Sequence, residues 1–329
     1  MSLVPPIGFS LATINWSSQV SRNVLLVVFG VLVVASVTGY ILSKATRSDS
    51  GKATVANLNA RTKSWWFMVL IILGALSLPS SGTAIVFGLI SFLALREFLT
   101  ATPTRPADYW ALFVSFFIIV PYQFYLVAIN WYGMFAIMIP VYAFVLIPML
   151  TVVQGDVKDF LERNARTQWG LMVCVYFISH IPMLMNLHVE PLRMGPAGLV
   201  LFLIAVTQGS DVLQYVWGKL CGKRPIVPRL SPKKTVEGFV GGVATASLIG
   251  AAMFRLTPFD PLQAFVVALL LCVIGFFGGL IMSAIKRERG IKDWGTLIEG
   301  HGGMLDRIDS LCFSAPLFYH ILRYFFQAD

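Results

Sequence analysis

Apolar residues along this chain come in long runs, separated by polar segments of two kinds. A helix needs roughly 20 apolar residues to cross the hydrocarbon core of a bilayer, and ten runs approach that length. They lie near Val24–Ser43, Trp65–Pro79, Thr83–Phe98, Trp110–Ile129, Trp131–Val153, Gly170–Leu187, Gly195–Trp217, Glu237–Leu256, Leu262–Ile285 and Ser310–Phe326. The pattern predicts an all-α integral membrane protein with about ten transmembrane helices. The second and third runs are short.

The polar segments alternate. Ser80–Gly82, the Asn130 turn, His188–Met194 and Thr257–Pro261 are short and nearly free of charge. Lys44–Ser64, Leu99–Tyr109, Gln154–Trp169, Gly218–Val236 and Lys286–Asp309, with Arg96 beside the second, hold 21 of the 25 lysines and arginines. Only Arg22, Arg193, Arg255 and Arg323 lie elsewhere. Basic segments stay on the cytoplasmic side, so this set is expected inside and both termini outside.

Composition agrees: 57% of residues are hydrophobic and 12% charged, against about 25% charged in soluble domains. The net charge of +9 sits in the alternating segments and follows topology, so no nucleic-acid partner is expected. Trp65, Trp66, Trp110, Trp131 and Trp169 fit interfacial anchors. Cys174, Cys221, Cys272 and Cys312 lack metal-ligand spacing and read as packing residues. No internal repeat is visible, which weighs against a transporter built of related halves.

Two basic segments carry more than topology requires. Asp211 lies inside an apolar run, where a carboxylate costs about 2.5–3.5 kcal/mol on insertion scales and so faces a cavity, a cation or a hydrogen-bonding neighbour. Thr207, Ser210, Gln214 and Gly218 recur around it at helical spacing. Next, Ser231-Pro-Lys-Lys-Thr-Val-Glu-Gly238 sets Lys233 and Lys234 beside hydroxyls at a helix start, which suits a phosphate. Thr235 also suits a plain N-cap. Gly238, Gly241 and Gly242 suit close helix packing. The last basic segment sets Lys286 and Arg287, then Lys292 and Asp293, ahead of His301-Gly302-Gly303-Met-Leu-Asp306-Arg307-Ile-Asp309. Asp306 and Asp309 share a helix face at i, i+3 and suit a hard cation. A solvated ion-pair loop is the alternative.

This last segment resembles the signature of phosphatidate cytidylyltransferases, also called CDP-diacylglycerol synthases: S-x-x-K-R, four residues, K-D, seven residues, H-G-G-x-x-D-R-x-D. Ser283, Lys286, Arg287, Lys292, Asp293, His301, Gly302, Gly303, Asp306, Arg307 and Asp309 fill every fixed position. The resemblance extends over Gly195–Asp329. It implies transfer of a cytidylyl group from CTP to phosphatidate or a related lipid phosphate, giving CDP-diacylglycerol and pyrophosphate. It implies Mg2+, with room for a second monovalent or divalent cation. Asp306 and Asp309, with Asp211, are then assigned to metal. Ser231, Lys233, Lys234, Thr235, Glu237, His301, Gly302 and Gly303 are assigned to nucleotide. Lys292, Asp293, Lys286, Arg287 and Arg307 are assigned to catalysis.

The expected organisation is an N-terminal helix and basic connector (1–64), a helical scaffold (65–194) and a catalytic region (195–329). The site would face the cytoplasm of a bacterial inner membrane, among membrane lipids, with a homodimer allowed. The chain departs from the family where G-D-L-x-E-S is usual: it has Gly278-Gly279-Leu280-Ile281-Met282-Ser283, without the Asp and the Glu. It also has Glu299 where Pro is usual, and Glu299 is a candidate replacement for the acid absent at Gly279. A divergent paralogue with altered or no turnover, a related CTP-dependent lipid kinase and an anionic-substrate transporter are the other readings.

Overall fold

The computed structural model describes residues 18–45, 48–297 and 302–327. Its helices are α1 (Gln19–Ala45), α2 (Asp49–Leu76), α3 (Ser80–Thr100), α4 (Pro106–Ala128) and α5 (Tyr132–Val152). They continue with α6 (Phe160–Asn186), α7 (Ala197–Cys221), α8 (Val236–Ala252), α9 (Pro261–Glu288) and α10 (Leu305–Phe326). Seven of these, all but α2, α8 and α10, are long and apolar enough to cross a membrane. The protein is therefore an integral membrane protein, mostly helical.

Helices α4, α5 and α6 each contain a π segment, at Ser115–Ile119, Met138–Ala143 and Met172–Phe177. Prolines 121, 140 and 182 lie in or near these wide turns. Proline removes an amide and crowds the preceding turn, and wider turns absorb that. Helix α9 starts sharply. Pro261 opens it, and Asp260 and Gln263 cap each other: Gln263 N donates to Asp260 Oδ1 at 2.8 Å, and Asp260 N to Gln263 Oε1 at 3.1 Å.

Two basic stretches expected as connectors are largely helix. Helix α2 begins at Asp49, with the Ser48 hydroxyl accepting from Gly51 N, and α6 begins at Phe160. An apolar run marks only the part of a helix that lipid covers, and helix formers such as Ala, Arg and Lys carry the turns further. Within α6, Arg163 is 3% exposed and pairs with Asp156 at 3.1 Å and Asp108 at 3.5 Å, tying the α5–α6 connector to the start of α4. A second difference from the sequence expectation is a small antiparallel hairpin in an otherwise helical chain, β1 (Pro225–Val227) and β2 (Ser231–Thr235).

The apolar core joins α3, α4, α6, α7, α9 and α10, with α6 the most enclosed of the seven long apolar helices and α1 the least. Helices α7, α8, α9 and α10 pack in sequence order. Helix α8 meets α7 backbone to backbone: a Cβ on Gly242 would lie 2.5 Å from Gln214 N, and one on Gly238 would lie 2.8 Å from Gln214 O. Small residues permit such approach where lipid offers no hydrophobic drive between helices.

Gly242→Leu should therefore overpack this contact at a cost of about 1–3 kcal/mol or more. The thermal midpoint of the detergent-solubilised protein is expected to fall by at least roughly 3 °C. Gly30→Leu, where nothing lies within 4 Å of an added Cβ, should leave it unchanged.

Candidate active site

The hairpin carries the two lysines of the Ser231–Gly238 motif. Pro225 stands opposite Thr235 and Val227 opposite Ser231. Glu237, in the first turn of α8, closes the base by accepting from Lys223 N at 3.0 Å and Arg224 N at 3.2 Å. Thr235 is the N-cap of α8: its Oγ1 accepts from Gly238 N at 3.1 Å. Thr235, Lys233 and Lys234 all line one cavity of about 240 Å3. The Lys234 ammonium stands 4.6 Å from the Phe276 ring centroid, a cation–π distance. Burial pushes its pKa below the ordinary lysine value, against the pull of Asp211 and Asp309.

The rest of the cavity comes from four helices: Asp211, Gln214 and Tyr215 of α7, Phe239 of α8, Phe276, Gly279 and Ser283 of α9, and Asp309 and Ser310 of α10. Ser310 links the two acids. Its Oγ donates to Asp211 Oδ2 at 2.6 Å and lies 3.3 Å from Asp309 Oδ1, while its backbone N donates to Asp309 Oδ1 at 2.8 Å. Gly279 faces the same space: an added Cβ would lie 3.2 Å from Lys234 Nζ and 3.6 Å from Ser310 Oγ. The acid that the family resemblance leads one to expect here would project between the lysine and the serine.

Asp306 does not share this cavity, although it lies on the same helix three residues before Asp309. Its Oδ1 pairs with Lys286 Nζ at 2.7 Å, and its Oδ2 accepts from Trp294 N at 2.7 Å and Gly303 N at 3.0 Å. The side chain is 4% exposed. With both oxygens engaged, Asp306 holds the loop between α9 and α10, and Lys286 is its counterion. Gly303 belongs to that clamp, and Gly302 takes a left-handed φ of 81° that favours glycine. Arg287 joins the loop to the hairpin by donating to Ile291 O and Leu230 O. Lys292 and Asp293 are exposed and are not among the residues lining the cavity. Arg307 is half-buried, and its carbonyl accepts from Gln208 Nε2 at 2.9 Å. Glu299 and His301 lie outside the described residues.

No sequence motif points to Glu97 of α3. Its Oε1 accepts from Met304 N at 2.9 Å and its Oε2 from Leu305 N at 2.8 Å. Its partners are backbone amides more than 200 residues away, so no short motif signals the contact.

Two carboxylates and a hydroxyl converging on a polar cavity suit one hard cation. Mg2+ is commonly held by one or two carboxylates, with water and substrate phosphate supplying the rest. Among the described residues no cluster of three His, Cys, Asp or Glu side chains is formed. Asp211 and Asp309 are thus the donors that fit, and Asp306 is already committed.

The two acids of the signature should respond differently. Asp306→Asn removes the partner that Lys286 pairs with at 2.7 Å, and breaking a buried pair costs about 3–5 kcal/mol. Its thermal midpoint in detergent should drop sharply. Asp309→Asn, which breaks no ion pair among the described residues, should melt close to the unaltered protein. Equal melting of the two variants would contradict this division.

The profile of the Cytidylyltransferase family matches residues 59–325. The chain is 39% identical over 306 residues to the Escherichia coli K12 protein named "Uncharacterized protein YnbB", covering 91% of this chain and 97% of that one. It is 46% identical over 114 residues to the phosphatidate cytidylyltransferase of Aquifex aeolicus, covering 34% of this chain and 42% of that enzyme. With the phosphatidate cytidylyltransferase of Bacillus subtilis it shares 38% identity over 151 residues, 44% of this chain and 56% of that enzyme. The match thus spans about half the length of these two enzymes and nearly all of YnbB. The chain belongs to the cytidylyltransferase family, and so to the nucleotidyltransferases.

Proposed function

We propose that this protein transfers a cytidylyl group from CTP to phosphatidate, or to a closely related lipid phosphate, in the cytoplasmic leaflet of a bacterial inner membrane. A phosphate oxygen of the lipid attacks the α-phosphorus of CTP. The bond between the α-phosphorus and its bridging oxygen breaks, and pyrophosphate leaves with that oxygen. The observation that carries the reading is one cavity holding two carboxylates and two lysines in a chain with seven helices long and apolar enough to cross a membrane. Such a place lets acyl chains stay in lipid while a polyanion arrives from water.

Charge and position supply the chemistry. Lys233 and Lys234 neutralise and hold CTP phosphates, and Asp211 and Asp309 hold Mg2+. When bound, the cation offsets the negative charge that builds on the phosphates. No covalent intermediate on the protein is needed, since phosphoryl-type transfer depends on positioning and electrostatic stabilisation. The cavity of about 240 Å3 is smaller than the roughly 300–1,000 Å3 of drug-sized pockets. It accommodates the reacting phosphates and leaves the nucleoside and acyl chains outside. In this reading Lys292 of the α9–α10 loop, Arg287 at the end of α9 and Arg307 in the first turn of α10 serve the nucleotide or the departing pyrophosphate outside the cavity. A second cation finds fewer donors, because position 279 has no carboxylate, and a lower metal affinity follows. All ten helices thread the bilayer in this reading, with the hairpin and the α9–α10 loop in the cytoplasm.

Incubation of the purified protein with labelled CTP, Mg2+ and phosphatidate vesicles tests this. Labelled CDP-diacylglycerol should form, and Asp211→Asn and Asp309→Asn should each lower turnover by roughly 100-fold or more. Absence of product with phosphatidate and with other lipid phosphates would overturn the proposal. Gly279→Asp should lower the Mg2+ concentration for half-maximal activity if the site is short of one donor; an unchanged requirement would contradict that point.

A further inference from the structure

Glu97 stands near the end of α3, far in sequence from the signature, yet it makes two of the closest contacts to it. Each carboxylate oxygen accepts one amide at the start of α10: Met304 N at 2.9 Å and Leu305 N at 2.8 Å. Glycines stand where larger residues would displace it. A Cβ on Gly303 would lie 2.4 Å from Oε2, and one on Gly295 would lie 2.8 Å from Oε1. The next residue, Phe98, packs on Trp294 with ring centroids 5.3 Å apart, and Trp294 N is one of the donors to Asp306. The end of α3 is thus a seat for the signature loop, gripping it before and after the residues outside the described set.

A helix start exposes amides that would otherwise attract an anion. Here the chain's own carboxylate fills that place. Hydrogen bonds to an ionised acceptor are roughly twice as strong as neutral ones, and the helix dipole adds to them. The capped turn is the one that leads to Asp309 and Ser310, one turn beyond Leu305. Asp306 holds this turn through Lys286 and two amides, and Glu97 holds it through the amides of Met304 and Leu305.

We infer that Glu97 is a positioning residue of the active site: by capping α10 it fixes where Asp309 stands relative to Asp211. The catalytic part of this inference rests on the proposed cytidylyl transfer; the cap itself does not. The N-terminal half is then more than a membrane scaffold, because its α3 sets the geometry of acids belonging to the C-terminal half.

The test uses the full chain in detergent, with Glu97→Ala, Glu97→Gln and Gly303→Ala. Amide exchange of the segment 303–310 reads the cap without any substrate. It should quicken by about tenfold or more in Glu97→Ala, with Glu97→Gln intermediate because it keeps one acceptor oxygen. Mn2+ affinity, measured by paramagnetic resonance, reads the Asp211–Asp309 pair without turnover. It should weaken by about tenfold, as loss of partners that orient metal ligands commonly does. In the transfer assay kcat should fall by roughly 10- to 100-fold while KM for CTP stays within about twofold. Gly303→Ala, which pushes the carboxylate away, should reproduce these effects with Glu97 intact and add little on top of Glu97→Ala. It carries the same test should Glu97→Ala fail to fold. Exchange and Mn2+ affinity equal to the unaltered protein would overturn the inference, and so would full kcat in a Glu97→Ala protein whose parent is active. A parent inactive on every lipid phosphate would sink the cytidylyl reading, and the exchange and Mn2+ measurements would still decide on Glu97.

Discussion

A buried carboxylate is costly unless its oxygens are paired or hydrogen-bonded, and Asp306 meets that constraint on both sides. Lys286 from the end of α9 takes one oxygen, and the amides of Trp294 and Gly303 take the other. This arrangement joins the end of one helix, the connecting loop and the first turn of the next. Removing either charge leaves the other buried alone, which costs several kcal/mol. The placement of Asp309 follows, because it lies on the helix turn that Asp306 anchors.

The polar cavity is possible because apolar contacts enclose it. Phe239 and Phe276 pack with ring centroids 4.5 Å apart and wall one side. The glycine contact of α8 on α7 brings the hairpin over Asp211, so that Lys234 can reach the space between the acids. In this low-dielectric surround, charge on the lysines and acids acts more strongly than it would in water. The same surround makes unpaired charge costly, which accounts for the hydroxyl of Ser310 between the two acids.

The sequence made parts of this legible and hid others for physical reasons. Long apolar runs located the helices because lipid demands them, but they could not mark where polar helix turns continue, as at Asp49 and Phe160. Motif spacing led to Asp211, Lys233, Lys234 and Asp309, which the fold gathers in one cavity. It grouped Asp306 with Asp309, because a shared helix face predicts proximity of Cβ atoms and says nothing of which partner a carboxylate turns to. Glycine at position 279 was visible as a missing acid, yet only the fold places it against Lys234. Glu97 left no signal, since its partners are amides and any residue supplies an amide.

In the proposed reaction there is a division of labour: Asp211 and Asp309 would bind the cation, and Asp306 builds the loop. Mn2+ titration followed by paramagnetic resonance tests it most directly, on the unaltered protein and on three variants that remain folded: Asp211→Asn, Asp309→Asn and the paired Lys286→Met/Asp306→Asn. The paired change removes both buried charges together and so avoids leaving one of them unpartnered. The first two variants are expected to lose Mn2+ binding, and the paired variant to keep it, weakened by about tenfold at most, as loss of partners that orient metal ligands commonly does. Retention of binding without Asp309, or its loss in a folded paired variant, would contradict the account.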